Sequence, residues 1–306
     1  MTIDNKVVCY YHGDLDGIFA AACVKQKYPQ AKFIPVQYGD TWCANDVLEA
    51  TVIVVDFSFL DMAVLRSHCD KLIWIDHHKT AMETQQISWA DDRLAGYRSL
   101  EYAGCILSYA YFNMIPSDKI SKAIVQLKIP WAVVLAGKYD MWQFDSTDIV
   151  DCFATAAMLD IDSPNHEDFN DLLNIHDTDC AQSYISSGDT LIKAAMHRVK
   201  AVAAHGDKIT IPVADRAVTL MIINATSDIS RLGRYINIDL GIDIAAIYEI
   251  VGTKFQVHLR SVTCNVESIA RAHKGGGHAG AAGFSCKIKS NVIHDILTLS
   301  VLYDMW

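Results

Sequence analysis

A short segment near residue 75 constrains the fold of this chain more than any other. Residues 71–75 form an apolar run, which predicts a buried strand, and the run leads directly into Asp76, His77 and His78. A carboxylate and two imidazoles beside such a strand are costly to desolvate unless something binds them, and a divalent metal ion is their usual partner. We therefore interpret this triplet as one half of a metal site.

The other half is predicted upstream, where similar residues follow two earlier apolar runs. These residues are His12, Asp14, Asp16 and Asp56. An Asp-x-Asp-Gly segment by itself is usually a solvated turn, and an aspartate after a strand is often a helix cap. Their joint occurrence at predicted strand ends favours a metal site over these alternatives.

Apolar runs and helical patterns alternate through the first part of the chain. The predicted strands are residues 7–11, 31–38, 51–55 and 71–75, and the predicted helices are residues 18–28 and 60–69. This alternation indicates a parallel sheet with helices on both faces. Ligands of such sheets bind beyond the carboxyl ends of the strands, so residues far apart in sequence are expected to meet there.

The remainder of the chain predicts a helical region and then a smaller mixed domain. The predicted helices are residues 102–113, 118–138 with a break at Pro130, 149–159, 167–176 and 181–204. Beyond them we predict strands at 209–213, 217–224, 242–250, 254–260 and 284–288, helices at 230–237, 266–273 and 292–302, and a glycine-rich loop at 275–283. The predicted fold is α/β, with a parallel-sheet domain at 1–180, a helical connector at 181–207 and a mixed α/β domain at 208–306.

Composition narrows the function classes. The chain has 306 residues, of which 51% are hydrophobic and 20% charged, and this is the composition of an ordinary folded protein. Its formal net charge of -10 argues against binding to long nucleic acid. No apolar run is long enough to span a membrane, and the nine cysteines are scattered, so we expect a cytoplasmic protein with reduced thiols.

The motifs around the metal-site residues resemble those of the DHH phosphoesterase family. The resemblance implies that one divalent cation binds His12, Asp14 and Asp56. A second cation would bind Asp16, Asp56, His77 and Asp140, although the nearby Asp145 and Asp148 leave the last assignment open. It further implies that Asp76 orients a ligand, that His78 faces the substrate phosphate, and that Asp56, His77 and His78 are catalytic. Manganese is the expected metal, with magnesium or cobalt left open.

The end of the chain resembles the DHH-associated C-terminal domain. The similar residues are Arg260, Ser261, Gly276, Gly277 and His278, in a segment that continues to Gly283. The resemblance implies that they bind the far end of the substrate. Residues 254–289 contain six Lys or Arg and one acidic residue, and this positive balance favours an anion pocket.

The resemblance implies a manganese-dependent phosphodiesterase that cleaves short oligonucleotides or linear dinucleotides to nucleoside monophosphates, using a hydroxide activated by two metals. One alternative is a phosphatase of polyphosphate, pyrophosphate or a 3'-phosphorylated nucleotide, and another is a cyclic-dinucleotide phosphodiesterase. A non-catalytic nucleotide-binding scaffold is a further alternative, which the full set of ligand residues disfavours. The sequence leaves open whether the chain forms a homodimer.

Overall fold

The structure is a computed structural model that describes residues 6–84, 94–143, 148–213, 216–252 and 254–287. The chain divides into two compact units, Met1–Ile192 and Lys193–Trp306. The long helix Asp179–Ala203 covers most of the predicted connector. The domain limits at 180 and 207 stay predictions.

The first unit contains a five-stranded sheet and most of the helices. Its strands are β1 (Val7–His12), β2 (Lys32–Val36), β3 (Thr51–Val55), β4 (Lys71–Ile75) and β5 (Leu94–Ala95). Its helices are α1 (Leu15–Lys27), α2 (Ala44–Val47), α3 (Met62–His68), α4 (Lys79–Thr84), α5 (Gly104–Phe112), α6 (Ile120–Val125), α7 (Trp131–Asp140), α8 (Ile149–Asp160), α9 (Phe169–Leu172) and the start of α10 (Asp179–Ala203).

All five strands of this sheet run parallel, in the order β2-β1-β3-β4-β5. The prediction of a parallel sheet is confirmed. Because the carboxyl ends of parallel strands meet at one edge, His12 at the end of β1, Asp56 after β3 and Asp76 after β4 lie at that edge.

Apolar side chains cover both faces of the sheet. Ile53 and Ile73 belong to a core that includes α1 and α5, whereas Val54 and Trp74 belong to a second core that includes α3. All four residues are fully or almost fully buried. Burial of one such side chain contributes about 1.5–3 kcal/mol. The two cores therefore hold the strand ends in fixed positions.

The helical region differs from the prediction in two places. The chain from 117 to 140 forms a 3₁₀ turn, α6 and α7, and the break includes Leu127 at φ +53° and Pro130, which directly precedes α7. The helix predicted at 167–176 is reduced to α9, because Asn174 accepts a hydrogen bond from the backbone of His176 and side-chain turns of this kind compete with helix. Among the described residues, no helix is long and apolar enough to cross a membrane.

The second unit is built on a six-stranded mixed sheet. Its strands are β6 (Asp207–Val213), β7 (Arg216–Asn224), β8 (Ile244–Val251), β9 (Lys254–Arg260), β10 (Gly276–His278) and β11 (Ala281–Lys287). Two helices, α11 (Ile229–Arg234) and α12 (Val266–Ala272), and a π-helical turn (Tyr235–Asp239) complete its described part. The order is β10-β11-β9-β8-β7-β6, and only the β7 and β8 pair is parallel among these strands. The prediction of a smaller mixed α/β domain is confirmed.

The glycine-rich segment is a hairpin rather than the predicted loop. Gly276–His278 forms β10 and pairs with the start of β11. Gly277 has φ +141°, and a Cβ there would lie 2.5 Å from the backbone oxygen of Ala281. The missing side chain therefore lets the two strands approach. The helix predicted at 292–302 lies outside the described residues.

Candidate metal centre

The loop after β1 brings His12 and Asp14 together. Asp14 caps α1, because its Oδ1 accepts a hydrogen bond from the Gly17 backbone at 3.0 Å. Its other oxygen, Oδ2, lies 2.8 Å from His12 Nδ1. Gly17 has no space for a side chain, since a Cβ would lie 2.0 Å from the His12 backbone oxygen. The absence of a side chain at Gly17 therefore lets the first turn of α1 pack closely against the end of β1.

Asp16 is held by the first turn of α5. The backbone N–H of Gly104 donates to Asp16 Oδ2 at 2.7 Å, and that of Cys105 donates to Asp16 Oδ1 at 2.9 Å. A helix N-terminus stabilises negative charge, so this contact favours the buried carboxylate. A Cβ on Gly104 would lie 2.6 Å from Asp56 Cβ. The sequence analysis missed Gly104, whose only signal is a glycine at the start of a helical pattern.

Asp56 lies between the two predicted metal-binding histidines. Its Oδ1 is 3.1 Å from His77 Nε2, and its Oδ2 is 3.8 Å from His12 Nδ1. Asp56 Oδ1 and His77 Nε2 are buried, and within the described part of the chain neither atom makes a hydrogen bond. Buried polar atoms without a hydrogen bond are rare in native proteins. A cation bound between these atoms fits this observation.

Asp140 reaches the same site from the last position of α7. Its Oδ2 lies 3.3 Å from His77 Nε2, and Asp16 Oδ2 lies 3.7 Å from the same nitrogen. Asp148 immediately precedes α8 and belongs to none of the possible metal-binding groups among the described residues. Asp145 lies outside the described residues. The structure thus brings Asp140 to the predicted ligands.

Ligand atoms of these residues form three overlapping groups, each with its atoms within 4.8 Å of one another. The groups are His12, Asp14 and Asp56; Asp16, His77 and Asp140; and Asp56, His77 and His78. The first two groups match the two predicted ligand sets, except that the second set also included Asp56. Asp56 contacts His77 and can therefore be shared by both sets.

The charges at this site disfavour its metal-free form. Burial, followed by the charges of Asp16 and Asp14, raises the pKa of Asp56 well above its ordinary value. The same causes raise the pKa of Asp140 to about 7. Burial also lowers the pKa of His77, which keeps its imidazole neutral and able to bind a metal.

Asp76 orients His78 rather than facing the other carboxylates. Its Oδ1 accepts from the backbone of His77 at 2.7 Å and of His78 at 3.1 Å, and it lies 2.8 Å from His78 Nδ1. Ser58 Oγ, which the sequence analysis missed, donates to Asp76 Oδ2 at 2.5 Å. Burial opposes charge on both side chains and is the largest single effect. Their mutual hydrogen bond, their Coulomb attraction and further polar neighbours together outweigh it, so the pKa of Asp76 is lowered and that of His78 is raised.

An exposed aromatic ring stands beside the histidines. Tyr38 is 65% exposed, and its ring centroid lies 5.4 Å from that of His12 and 6.0 Å from that of His78. Below it lies the buried ring of Phe57, at 5.6 Å. Partial desolvation and then the nearby carboxylates, Asp76 first, raise the pKa of Tyr38 to about 12. The sequence analysis missed Tyr38 as a site residue, because an aromatic residue before a glycine turn has no specific meaning.

No family model matches the sequence, and no curated protein matches it either. Solved structures do resemble it. A member of the s1p family of ribosomal proteins, described as a DHH domain, is 14% identical with a TM-score of 0.61 over 97% of this chain and 87% of that one. A pGpG-specific phosphodiesterase from Vibrio cholerae is 12% identical with a TM-score of 0.53 over 98% of both chains. Exonuclease RecJ bound to manganese is 14% identical with a TM-score of 0.52 over 98% of this chain and 89% of that one.

The chain has the fold of the DHH phosphoesterase family. The predicted resemblance is therefore confirmed in the fold. Within this DHH fold, all residues of the candidate metal centre belong to the first unit.

The second unit of the DHH fold presents Arg260 at the end of β9. Its guanidinium donates to the backbone oxygen of Leu259 at 3.0 Å and to Ser230 Oγ at 3.3 Å. Its aliphatic part packs on α11, where a Cβ on Gly233 would lie 2.5 Å from Arg260 Cγ. Burial lowers the pKa of Arg260, although a guanidinium stays charged in proteins. Arg260 is thus a fixed, partly buried cation.

The predicted loop residues lie near Arg260 in the same sheet. Arg260 and His278 both pair with Ala281, one from β9 and the other from β10. His278, Gly276 and Gly277 are exposed. A Cβ on Gly276 would meet no described residue within 4 Å, whereas one on Gly277 would collide with β11. Packing among the described residues therefore requires glycine at Gly277 but not at Gly276.

Ser261 points into the protein. Its hydroxyl donates to the Asp243 backbone oxygen at 2.6 Å and accepts from the backbone of Thr263 at 3.2 Å and of Cys264 at 2.8 Å. Ser261 is 5% exposed. These bonds use the hydroxyl fully, so the side chain shapes the loop that follows Arg260.

Proposed function

We propose that this chain is a manganese-dependent phosphodiesterase that cleaves short oligonucleotides or linear dinucleotides to nucleoside monophosphates. The observation that carries the proposal is the pair of buried atoms Asp56 Oδ1 and His77 Nε2, which lie 3.1 Å apart without a hydrogen bond among the described residues. A site that only stabilised the fold would pair these atoms with donors and acceptors.

Two cations fit the residues better than one. His12 and Asp14 face one oxygen of Asp56, and His77 faces the other. Asp140 and Asp16 complete the second set. Carboxylates suit magnesium and manganese, and the two imidazoles shift the preference towards manganese. The similar RecJ structure was solved with manganese. Two such cations would lower the pKa of a coordinated water and so supply a nucleophile at neutral pH.

The side chains around these ligands have separate tasks in the proposed reaction. Asp76 holds His78 through Nδ1, which leaves Nε2 as the atom that donates to a phosphate oxygen. In the metal-free protein, burial lowers the pKa of His78, but the Asp76 hydrogen bond and the nearby carboxylates raise it by more, so the net pKa is raised. The first turn of α5 keeps Asp16 in place for metal binding.

A short nucleotide is the substrate class that the chain supports best. The net charge of -10 disfavours a long polyanion, whereas bound cations would make the site itself attractive to one phosphodiester. Two of the similar structures are a pGpG-specific phosphodiesterase and an exonuclease. For the second unit, we propose that Arg260, Gly276, Gly277 and His278 bind the substrate, and that Ser261 fixes their loop.

Turnover by metal-free protein, before and after addition of manganese, tests the proposal. The substrates would be 5'-phosphorylated linear dinucleotides, cyclic dinucleotides, longer oligomers and polyphosphate. We expect linear dinucleotides to be hydrolysed fastest and only with metal. Equal turnover in EDTA, or turnover of polyphosphate alone, would contradict the proposal.

A matched pair of variants locates the reaction at the site. Asp140→Asn should lower the rate at least about 100-fold, because it removes a charged ligand. Asp148→Asn is the control, since Asp148 is a nearby aspartate outside the described metal-binding groups. Equal rates for the two variants would refute the assigned ligand set.

A further inference from the structure

The ring of Tyr38 packs against Phe57 on one side but is otherwise largely exposed. It is the first residue beyond Gln37 in the turn after β2, and it is 65% exposed. Single exposed apolar residues are common on protein surfaces. Tyr38 differs from most of them because its ring lies at contact distance from two histidines of the site. The distances between ring centroids are 5.4 Å to His12 and 6.0 Å to His78.

The turn holds this ring in place. Asp40 Oδ2 accepts a hydrogen bond from the Gln37 backbone at 2.8 Å, and the Asp40 backbone donates to the Gln37 oxygen at 3.0 Å. Gly39 supplies the positive φ of +101° that closes the turn. One side of the Tyr38 ring contacts Phe57 at 5.6 Å. The ring is thus oriented before any ligand binds, and much of its surface remains open.

We propose that Tyr38 stacks on the base of the nucleotide whose phosphate is cleaved. This inference rests on the proposed function and identifies the base as the part of the substrate that the first unit binds. The ring centroids of Tyr38 and His78 lie 6.0 Å apart. If a substrate phosphate accepts a hydrogen bond from His78, the nucleoside attached to that phosphate is therefore within reach of the Tyr38 ring. Every base has a flat face, so stacking on tyrosine accepts all four bases but rejects a substrate without one.

The consequence is a preference for nucleotides over phosphate chains. Polyphosphate and pyrophosphate offer nothing to stack, so they would gain no binding from Tyr38. Base stacking on an aromatic side chain changes affinity by about 10- to 100-fold. The hydroxyl makes no part of this contact, and the ring alone is needed.

Two variants and two substrates test the inference. Tyr38→Leu removes the ring but keeps an apolar side chain, and Tyr38→Phe keeps the ring. The substrates are a linear dinucleotide and the same dinucleotide with abasic sugars, each measured with manganese. We expect Tyr38→Leu to lower kcat/KM about 10- to 100-fold on the intact dinucleotide, mainly through KM, and to leave the abasic substrate unchanged. Tyr38→Phe should resemble the wild type.

The alternative outcomes separate this inference from the proposed function. An equal loss of kcat/KM on both substrates would mean that Tyr38 stabilises the metal centre rather than stacking on a base. No loss on either substrate would mean that Tyr38 has neither role. Each of these results overturns the inference but leaves the proposed function standing. A wild-type protein that hydrolyses no dinucleotide with manganese would overturn both proposals. The thermal shift caused by manganese should be the same in all three proteins, which confirms an intact site.

Discussion

Replacing Asp56 should make the metal-free protein more stable while it removes metal binding. Asp56 is 1% exposed, and its pKa is raised first by burial and then by the charges of Asp16 and Asp14. Because its pKa is higher in the folded than in the unfolded chain, the protonated form contributes stability that is fully present below a pH of about 4 and is lost as the pH rises through the folded pKa. Asparagine is neutral at every pH and does not lose this contribution.

The backbone makes asparagine the correct replacement. Asp56 has φ +54°, in the left-handed region that asparagine tolerates and alanine does not. Alanine costs about 1–2 kcal/mol there. Each unit by which the folded pKa exceeds its ordinary value corresponds to about 1.4 kcal/mol at high pH. We therefore expect Asp56→Asn to raise the free energy of unfolding of the metal-free protein at pH 8, and Asp56→Ala to raise it less.

Calorimetric unfolding at pH 4 and pH 8, with EDTA or manganese, would measure these effects. Manganese at 100 times its dissociation constant should stabilise the wild type by about 2.7 kcal/mol per site. For a unit of 192 residues, this corresponds to a rise in Tm of about 5–10 °C. Asp56→Asn should show little of this shift, and its advantage in EDTA should nearly disappear at pH 4, close to the pKa of the unfolded carboxyl. A variant that kept the full manganese shift, or that was less stable than the wild type in EDTA at pH 8, would refute this reasoning.

Three further predictions concern other parts of the chain. Gly104→Ala should weaken manganese binding measured by calorimetric titration, because its Cβ would lie 2.6 Å from Asp56 Cβ. Gly206→Ala is the control and should bind manganese normally, because the nearest neighbours of its Cβ are the flexible side chains of Met221 and Ile223 in the second unit. Gly276→Ala should keep the melting temperature but raise KM, because its Cβ meets no described residue within 4 Å and enters space that we assign to substrate. Gly277→Ala should lower the melting temperature, because its Cβ collides with the backbone of Ala281 and Ala282. Manganese binding should release protons near pH 6 and less at pH 8, because the pKa of Asp140 is about 7 in the metal-free protein; a release that does not depend on pH would contradict this.

The sequence predicted the residues whose position follows from local pattern. Thr51–Val55 and Lys71–Ile75 are continuous apolar runs, and a polar residue after such a run can only lie at the end of its strand. The parallel order of the strands then brings Asp56 and His77 to one edge. Distance along the chain has no effect on this prediction, since the fold class alone determines where strand ends meet.

Contacts made by backbone atoms were not predictable in this way. Gly104 reaches Asp16 across 88 positions through an N–H group that every residue except proline carries, so the sequence gives no sign of it. The roles of Ser58 and Tyr38 could not be predicted from the sequence either, because a serine or tyrosine in a loop is usually solvated. The hairpin at Gly276–His278 was predicted as a loop because a run of glycines lacks the β-branched and aromatic residues that indicate strands.

The negative charges of Asp16 and Asp56 are balanced in different ways, one by the protein and the other by the proposed cation. Asp16 receives two backbone N–H donors from the first turn of α5, so the fold itself stabilises its charge. Asp56 Oδ1 has no hydrogen-bond donor among the described residues and instead faces His77, whose pKa is lowered by burial. Among the described residues, the fold thus offers Oδ1 of Asp56 no donor to balance the negative charge of its ionised form. A cation is the group that balances it, and for this reason we expect metal binding to depend more on Asp56 than on any other carboxylate of the site.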